Sequence, residues 1–138
     1  MEDIERLASL SIDAGLHLHK ELEPGLLESV YETLLAERLR RSGCAVERQK
    51  MLPIKYDGVS LADGYRVDLL VGGKLIIEIK SVARLAAVHG KQLLTYIRLA
   101  NQPLGLLMNF GAETFREGLR RVVNSPTNVI SFQAKTSD

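Results

Sequence analysis

Ile4, Leu7, Ala8, Ser11, Ala14, Gly15 and Leu18 recur at the spacing of one helix face, so residues 3–20 predict an amphipathic helix. Glu23-Pro24-Gly25 interrupts it. A second helix is predicted over 25–42, with Leu27, Val30, Tyr31, Leu34, Leu35 and Leu39 on one side, Arg40 and Arg41 in the last turn and Gly43 as the stop. The pattern then becomes that of strands, at 45–56 and 64–71, joined by a turn at Asp57-Gly58, and at 74–80 after Gly72-Gly73. Residues 84–101 predict a helix that Pro103 ends, and Leu104-Gly105-Leu106-Leu107-Met108-Asn109-Phe110 is the continuous apolar run of a strand covered on both faces. A short helix over 113–122 and an extended piece at 129–132 complete an order of α, α, β, β, β, α, β, α.

Polar residues that interrupt these patterns carry the candidate chemistry. Asp68 lies in the strand Val67-Asp68-Leu69-Leu70-Val71, and Glu78-Ile79-Lys80 closes the next strand. Side chains alternate across a strand, so Glu78 and Lys80 share a face while Ile77 and Ile79 take the other. A two-residue loop at Gly72-Gly73 would pair Asp68 with Ile77 and turn its carboxylate away from Glu78. A three-residue loop, Gly72-Gly73-Lys74, or a bulge would set Asp68 opposite Glu78, and this is the register expected. Two carboxylates and an ammonium then surround a point fit for a hard divalent cation, since Mg²⁺ prefers oxygen ligands and needs only one or two protein carboxylates. Such a centre hydrolyses phosphodiesters. The same residues also fit a plain surface ladder of alternating charges.

The helices add further polar groups. Glu28 falls at the edge of the second helix's apolar stripe, where it either reaches a partner or lies as a solvated rim residue beside the first-turn dipole. Tyr31 fits the core. His89, Gln92 and Tyr96 share a face with Leu85, Val88 and Leu99 on the helix after Lys80. They can line a site there, with Gln92 on a phosphate or a bound water and His89 on phosphate or acting as an acid, or serve as isolated, satisfied core groups. His17 and His19 diverge on their helix and make poor ligand partners. Arg116, Arg120 and Arg121 are expected on a solvated helix face, and Asn109 at a strand end, where capping is its default role.

Composition narrows the class. At 138 residues, with 46% hydrophobic and 25% charged residues, the chain fits one globular domain, with a core over about 4–123 and a polar tail over about 133–138. The net charge of +1 offers little long-range attraction for a polyanion, which must be held locally. A single cysteine, Cys44, excludes an intramolecular disulfide and a Cys-rich zinc site, and is expected as a small buried residue. The acidic start Met1-Glu2-Asp3-Ile4-Glu5 is unlike a signal peptide, and no run reaches the length of a membrane span, so a cytoplasmic location without membrane partners is expected.

Gly25-x-x-Glu28-x-x-Tyr31, the Asp68 strand, Glu78-Ile79-Lys80, His89-x-x-Gln92 with Tyr96, and Gly105-Leu106-Leu107-Met108-Asn109-Phe110 together resemble the GxxExxY family of the PD-(D/E)XK nuclease superfamily over about Ile4 to Val123. The resemblance implies an α/β fold with a restriction-endonuclease-like core, a central mixed β-sheet flanked by α-helices. It implies Asp68, Glu78 and the backbone carbonyl of Ile79 as ligands of Mg²⁺ or Mn²⁺, Glu28 as an added ligand, Lys80 as the catalytic lysine and Gln92 as a catalytic residue; the helix face that His89 and Tyr96 share with Gln92 makes those two the expected substrate contacts. Val67 stands where the superfamily's name expects proline. The activity implied is metal-dependent hydrolysis of nucleic acid, with DNA favoured. A homodimer would supply two sites for two strands. A catalytically silent adaptor on the same core, binding nucleic acid or an unidentified protein, is the alternative, and an assembly subunit dimerising through its N-terminal helix is a third.

Overall fold

The computed structural model describes residues 3–125 and 130–132. The chain runs α1 (Ile4–Glu21), α2 (Glu28–Arg41), β1 (Val46–Tyr56), β2 (Val59–Val71), β3 (Leu75–Lys80), α3 (Ala87–Leu99), β4 (Leu104–Asn109), α4 (Phe115–Gly118), β5 (Leu119–Val123) and β6 (Ile130–Phe132). The strands form one six-stranded sheet in sequence order. Among the described residues, β3 and β4 run parallel, with α3 as their crossover, and the other neighbours are antiparallel. The fold is therefore the expected mixed α/β sheet with helices on both faces. The polar tail proposed over 133–138 and residue 129 of the expected extended piece lie outside the described residues.

Two cores form against the two faces of the sheet. Leu7, Tyr31, Leu35 and Leu39 of α1 and α2 pack on Leu69, Val71, Leu75, Ile77, Ile79, Leu106 and Met108. Leu93, Leu94 and Ile97 of α3 pack on Tyr65, Val67, Leu70, Ile76 and Leu107. β4 is buried at every position, as its uninterrupted apolar sequence requires. α1 starts at Asp3, whose Oδ1 accepts from the Glu5 N–H at 3.1 Å. α2 lacks a side-chain cap at Leu27. Its approach is held instead by Tyr31, whose hydroxyl donates to the Glu23 carbonyl at 2.8 Å and whose ring stacks on Phe110 at 4.5 Å.

The turn between β2 and β3 has the odd length expected. Val71 pairs with Leu75, leaving Gly72, Gly73 and Lys74 as the loop. Both glycines take positive φ, 60° and 72°, a region that costs other residues about 1–2 kcal/mol. With Leu69 opposite Ile77 and Leu70 opposite Ile76, the next step brings Asp68 across from Glu78.

A second irregularity lies beside Asp68. The β1–β2 register is unbroken from Val46↔Val71 to Leu52↔Tyr65, except that the rung between Gln49 and Asp68 is missing. Gln49 there has φ 50°. Tyr65 and Val67 face α3, whereas Leu69 and Val71 face α1 and α2, so the pleat changes phase at Asp68. β1 changes with it: Val46 belongs to the first core and Leu52 to the second. One strained rung turns over the whole ribbon without shifting its register.

The helix expected over 113–122 is a correction. α4 is a single turn, and Leu119–Val123 is strand β5, paired antiparallel with β4. Phe115, Leu119 and Val122 are buried at a spacing that imitates a helix face, but Gly118 ends the turn against the close of β4, where a Cβ would stand 2.2 Å from the Asn109 carbonyl oxygen. Arg120 and Arg121 consequently sit on a strand. Arg120 donates to the Glu117 and Leu119 carbonyls, and Arg121 pairs with Glu5.

Candidate active site

The carboxylates of Asp68 and Glu78 meet where β2 and β3 part. Asp68 Oδ2 accepts from the Ile79 N–H at 2.8 Å, and Glu78 Oε1 accepts from the Asp68 N–H at 3.4 Å. Each acidic side chain is thus pinned to the other's strand. The Ile79 side chain is buried in the core, so only its backbone is available to a ligand. Burial, and after it the neighbouring Asp68 charge, push the Glu78 carboxyl from an ordinary 4.5 up to about 7, against the pull of Tyr65, the Asp68 N–H and Lys80.

Glu78 and Lys80 open into a cavity of about 290 Å³ that also reaches His89, Gln92 and Tyr96 on α3. The three polar residues expected to face the sheet therefore converge on the same space as the Glu-x-Lys strand. His89 is oriented by its own helix start: Nδ1 accepts from the Ala86 N–H at 3.0 Å, which leaves Nε2 as the protonated nitrogen of the neutral ring. Tyr96 stacks on Tyr65 with ring centroids 4.1 Å apart.

The chain beyond Lys80 is fixed from two sides. Asn109, 1% exposed, does more than cap its strand: its Oδ1 accepts from the Val82 and Gly111 N–H groups, and its Nδ2 donates to the Val82 carbonyl at 2.9 Å. From α2, Glu28 Oε2 accepts from the Ser81 N–H at 3.2 Å, and Ser81 Oγ donates to the Leu26 carbonyl at 2.7 Å. Glu28 is exposed, and its carboxylate thus meets the residue that follows Lys80. Among the described residues, no group of three or more His, Cys, Asp or Glu side chains converges on one point. His17 and His19 stay apart from the site, each at 2.8 Å from a backbone carbonyl oxygen of its own.

Several site residues escape sequence reasoning. Tyr65 donates its hydroxyl to Glu78 Oε1 at 2.9 Å, and burial followed by the Glu78 charge holds that hydroxyl far above the usual phenol range, so it remains a donor. Strict alternation places Tyr65 and Asp68 on opposite faces; the change of phase at Asp68 brings them together. Arg66 lines the cavity as well. Behind Asp68, Glu32 is a buried carboxylate, paired with Arg48 at 3.0 Å and accepting from Gln49 Nε2 at 2.6 Å. Its position beside Tyr31 on the apolar side of α2 was the available signal.

Two carboxylates and one adjoining backbone carbonyl form an all-oxygen donor set of the kind that Mg²⁺ or Mn²⁺ accepts while keeping several waters. The mutual repulsion that helps to raise Glu78 is what a cation between the pair would offset. The donor chemistry therefore fits a divalent metal.

A mixed α/β sheet flanked by helices, with a carboxylate pair and a lysine on adjoining strands, defines a restriction-endonuclease-like core. The chain belongs to the PD-(D/E)XK nuclease superfamily, whose family model matches residues 5–122. No curated protein and no solved structure matches it. Among the described residues, no helix is long and apolar enough to cross a membrane.

Proposed function

We propose that this protein is a nuclease of the GxxExxY family that hydrolyses phosphodiester bonds, DNA by preference, with Mg²⁺ or Mn²⁺ held by Asp68, Glu78 and the Ile79 carbonyl. The observation that carries the reading is the seating of two carboxylates against each other's strand, beside a lysine and a polar cavity. A bound divalent cation would supply Lewis-acid stabilisation of the charge that grows on the phosphoryl oxygens. Lys80 holds a phosphate oxygen or the attacking water. As the water oxygen adds to phosphorus it releases one proton to solvent, the scissile P–O bond breaks with its electron pair on the leaving oxygen, and that oxygen takes up a proton from solvent. His89 donates from Nε2 to the phosphate, and Gln92 orients the phosphate or the water. The Tyr65–Tyr96 stack gives the cavity an aromatic wall for a sugar or base. Glu28 acts at one remove, holding Ser81 and with it the exit of β3.

The test is cleavage of labelled single- and double-stranded DNA and RNA in Mg²⁺ or Mn²⁺, with Glu78→Ala and Lys80→Ala purified identically. Cleavage that both variants lose is expected, and its substrate names the class. Equal cleavage by wild type and variants, or none by wild type, refutes the reading in favour of an adaptor on a nuclease core.

A further inference from the structure

Gln49 is an exposed side chain in a backbone conformation that non-glycine residues rarely adopt, φ 50°, at the missing rung opposite Asp68 in the β1–β2 ladder. A glycine would relieve that backbone, so the side chain is the feature to explain. Its amide answers the question: Nε2 donates to Glu32 Oε1 at 2.6 Å and to Asp68 Oδ1 at 3.3 Å. Two carboxylates demand two N–H groups, so the amide nitrogen, not its oxygen, faces both. Glu32 cannot drift from this role. Its side chain is 8% exposed, and Arg48 holds its other oxygen at 3.0 Å while reaching Thr33 Oγ1 at 2.9 Å. Asp68 is thus gripped on both oxygens, Oδ2 by the Ile79 N–H and Oδ1 by Gln49.

We propose that Gln49 is a positioning residue, clamped by the buried carboxylate of Glu32 and its partner Arg48, that fixes the Asp68 carboxylate and thereby sets the divalent-cation affinity of the Asp68/Glu78 pair. This rests on the metal-centre reading given above. Two N–H groups, from Ile79 and Gln49, define the rotation of the Asp68 carboxylate and leave its remaining lone pairs for a cation. Groups that orient a ligating carboxylate are commonly worth about 10–100-fold in affinity. The positive φ is the conformation that brings the Gln49 amide between α2 and β2.

The test is Mn²⁺ binding by calorimetry, with thermal unfolding in EDTA, on wild type, Gln49→Gly, Gln49→Leu, Glu32→Gln and Asp68→Ala. Gln49→Gly removes the amide and the backbone strain together. Its melting temperature in EDTA should hold or rise while its Mn²⁺ affinity falls about 10-fold or more. A residue that merely braces the fold would move both in the same direction. Gln49→Leu should weaken Mn²⁺ binding similarly, and Glu32→Gln, whose amide offers one acceptor oxygen where Gln49 and Arg48 both donate, should weaken it as well. Asp68→Ala should abolish binding; if it binds Mn²⁺ as wild type does, the metal centre lies elsewhere and the proposal falls with it. If Asp68→Ala loses Mn²⁺ but Gln49→Gly and Gln49→Leu bind it normally, the centre stands and the positioning role is overturned.

Discussion

Glu78→Gln should stabilise the metal-free protein, and only at pH values where wild-type Glu78 is ionised. In the folded chain, burial and then the Asp68 charge raise this carboxyl from 4.5 to about 7. The folded state therefore binds its proton more tightly than the unfolded chain does. Stability from this group is full below the unfolded value and is lost as pH rises through about 7. At about 1.36 kcal/mol per unit, a rise from 4.5 to about 7 corresponds to a loss of about 3 kcal/mol once the carboxyl is fully ionised. Glutamine has nearly the same shape, still accepts from the Tyr65 hydroxyl and carries no charge to bury.

The assay is thermal or urea unfolding of both proteins in EDTA from pH 4 to 9. Near pH 4 the two curves should nearly coincide. Above pH 8 the variant should be more stable by about 3 kcal/mol, or roughly 10 °C in melting temperature for a chain of this size. The gap should open between pH 4.5 and about 7. Under the proposed metal centre, saturating Mn²⁺ should then stabilise wild type far more than the variant, because the cation would offset the Glu78 charge. A gap that is constant with pH, or a variant less stable than wild type at pH 8, would refute the claim that Glu78 is a desolvated carboxylate held against its electrostatic preference.

Tyr65→Phe keeps the stack on Tyr96 but removes the donor to Glu78. A hydrogen bond to a charged group is worth about 1.5–3 kcal/mol, so the pH midpoint of Mn²⁺ binding should rise by about one unit or more; an unchanged midpoint would show that the hydroxyl does not support the carboxylate. Lys80→Ala should leave Mn²⁺ affinity within a few-fold of wild type in calorimetry and lower the cleavage rate by about 10²–10⁴-fold, whereas loss of metal binding would move Lys80 from chemistry to assembly of the site. Gly72→Ala should destabilise the fold by about 1–2 kcal/mol or more in urea unfolding, since alanine resists φ 60° and its Cβ would stand 2.6 Å from Leu7 Cδ1.

What the sequence revealed of this fold depended on whether a signal was periodic or positional. The helical face of α1 and the apolar run of β4 were legible because burial imposes a period on them. On α2 only Tyr31, Leu35 and Leu39 of the expected face are buried, while Leu27, Val30 and Leu34 are exposed, and α3 buries Gly90, Leu93, Leu94 and Ile97 and leaves Val88 of its expected face exposed. The register between β2 and β3 was legible for a different reason: parity required a three-residue loop or a bulge to bring Asp68 to Glu78, and the two glycines made the loop accessible. β5 was misread because Phe115, Leu119 and Val122 are spaced as a helix would space them, and only the pairing with β4 decides between the two structures. Tyr65 and the Glu32–Gln49 contact were illegible for a deeper reason. Both depend on the change of pleat phase at Asp68, and that change resides in a backbone torsion of Gln49 that no periodicity records.

The same irregular rung links architecture to chemistry. A ribbon that kept its phase would carry Tyr65 to the face opposite the one that packs on α3, leaving Glu78 without the hydroxyl that supports it. It would also pair Gln49 with Asp68 through the backbone, as an ordinary ladder does, instead of presenting the side-chain amide to the carboxylate. The unpaired rung thus releases Asp68 from the sheet at the point where its carboxylate is needed, and the groups that recover it, the Ile79 N–H and the Gln49 amide, do so at the side chain. Strain concentrated at one residue of β1 is therefore the counterpart of the penalty carried by Glu78: the fold holds a twisted backbone beside a desolvated carboxylate, and a divalent cation held as proposed would offset the second by using the geometry of the first.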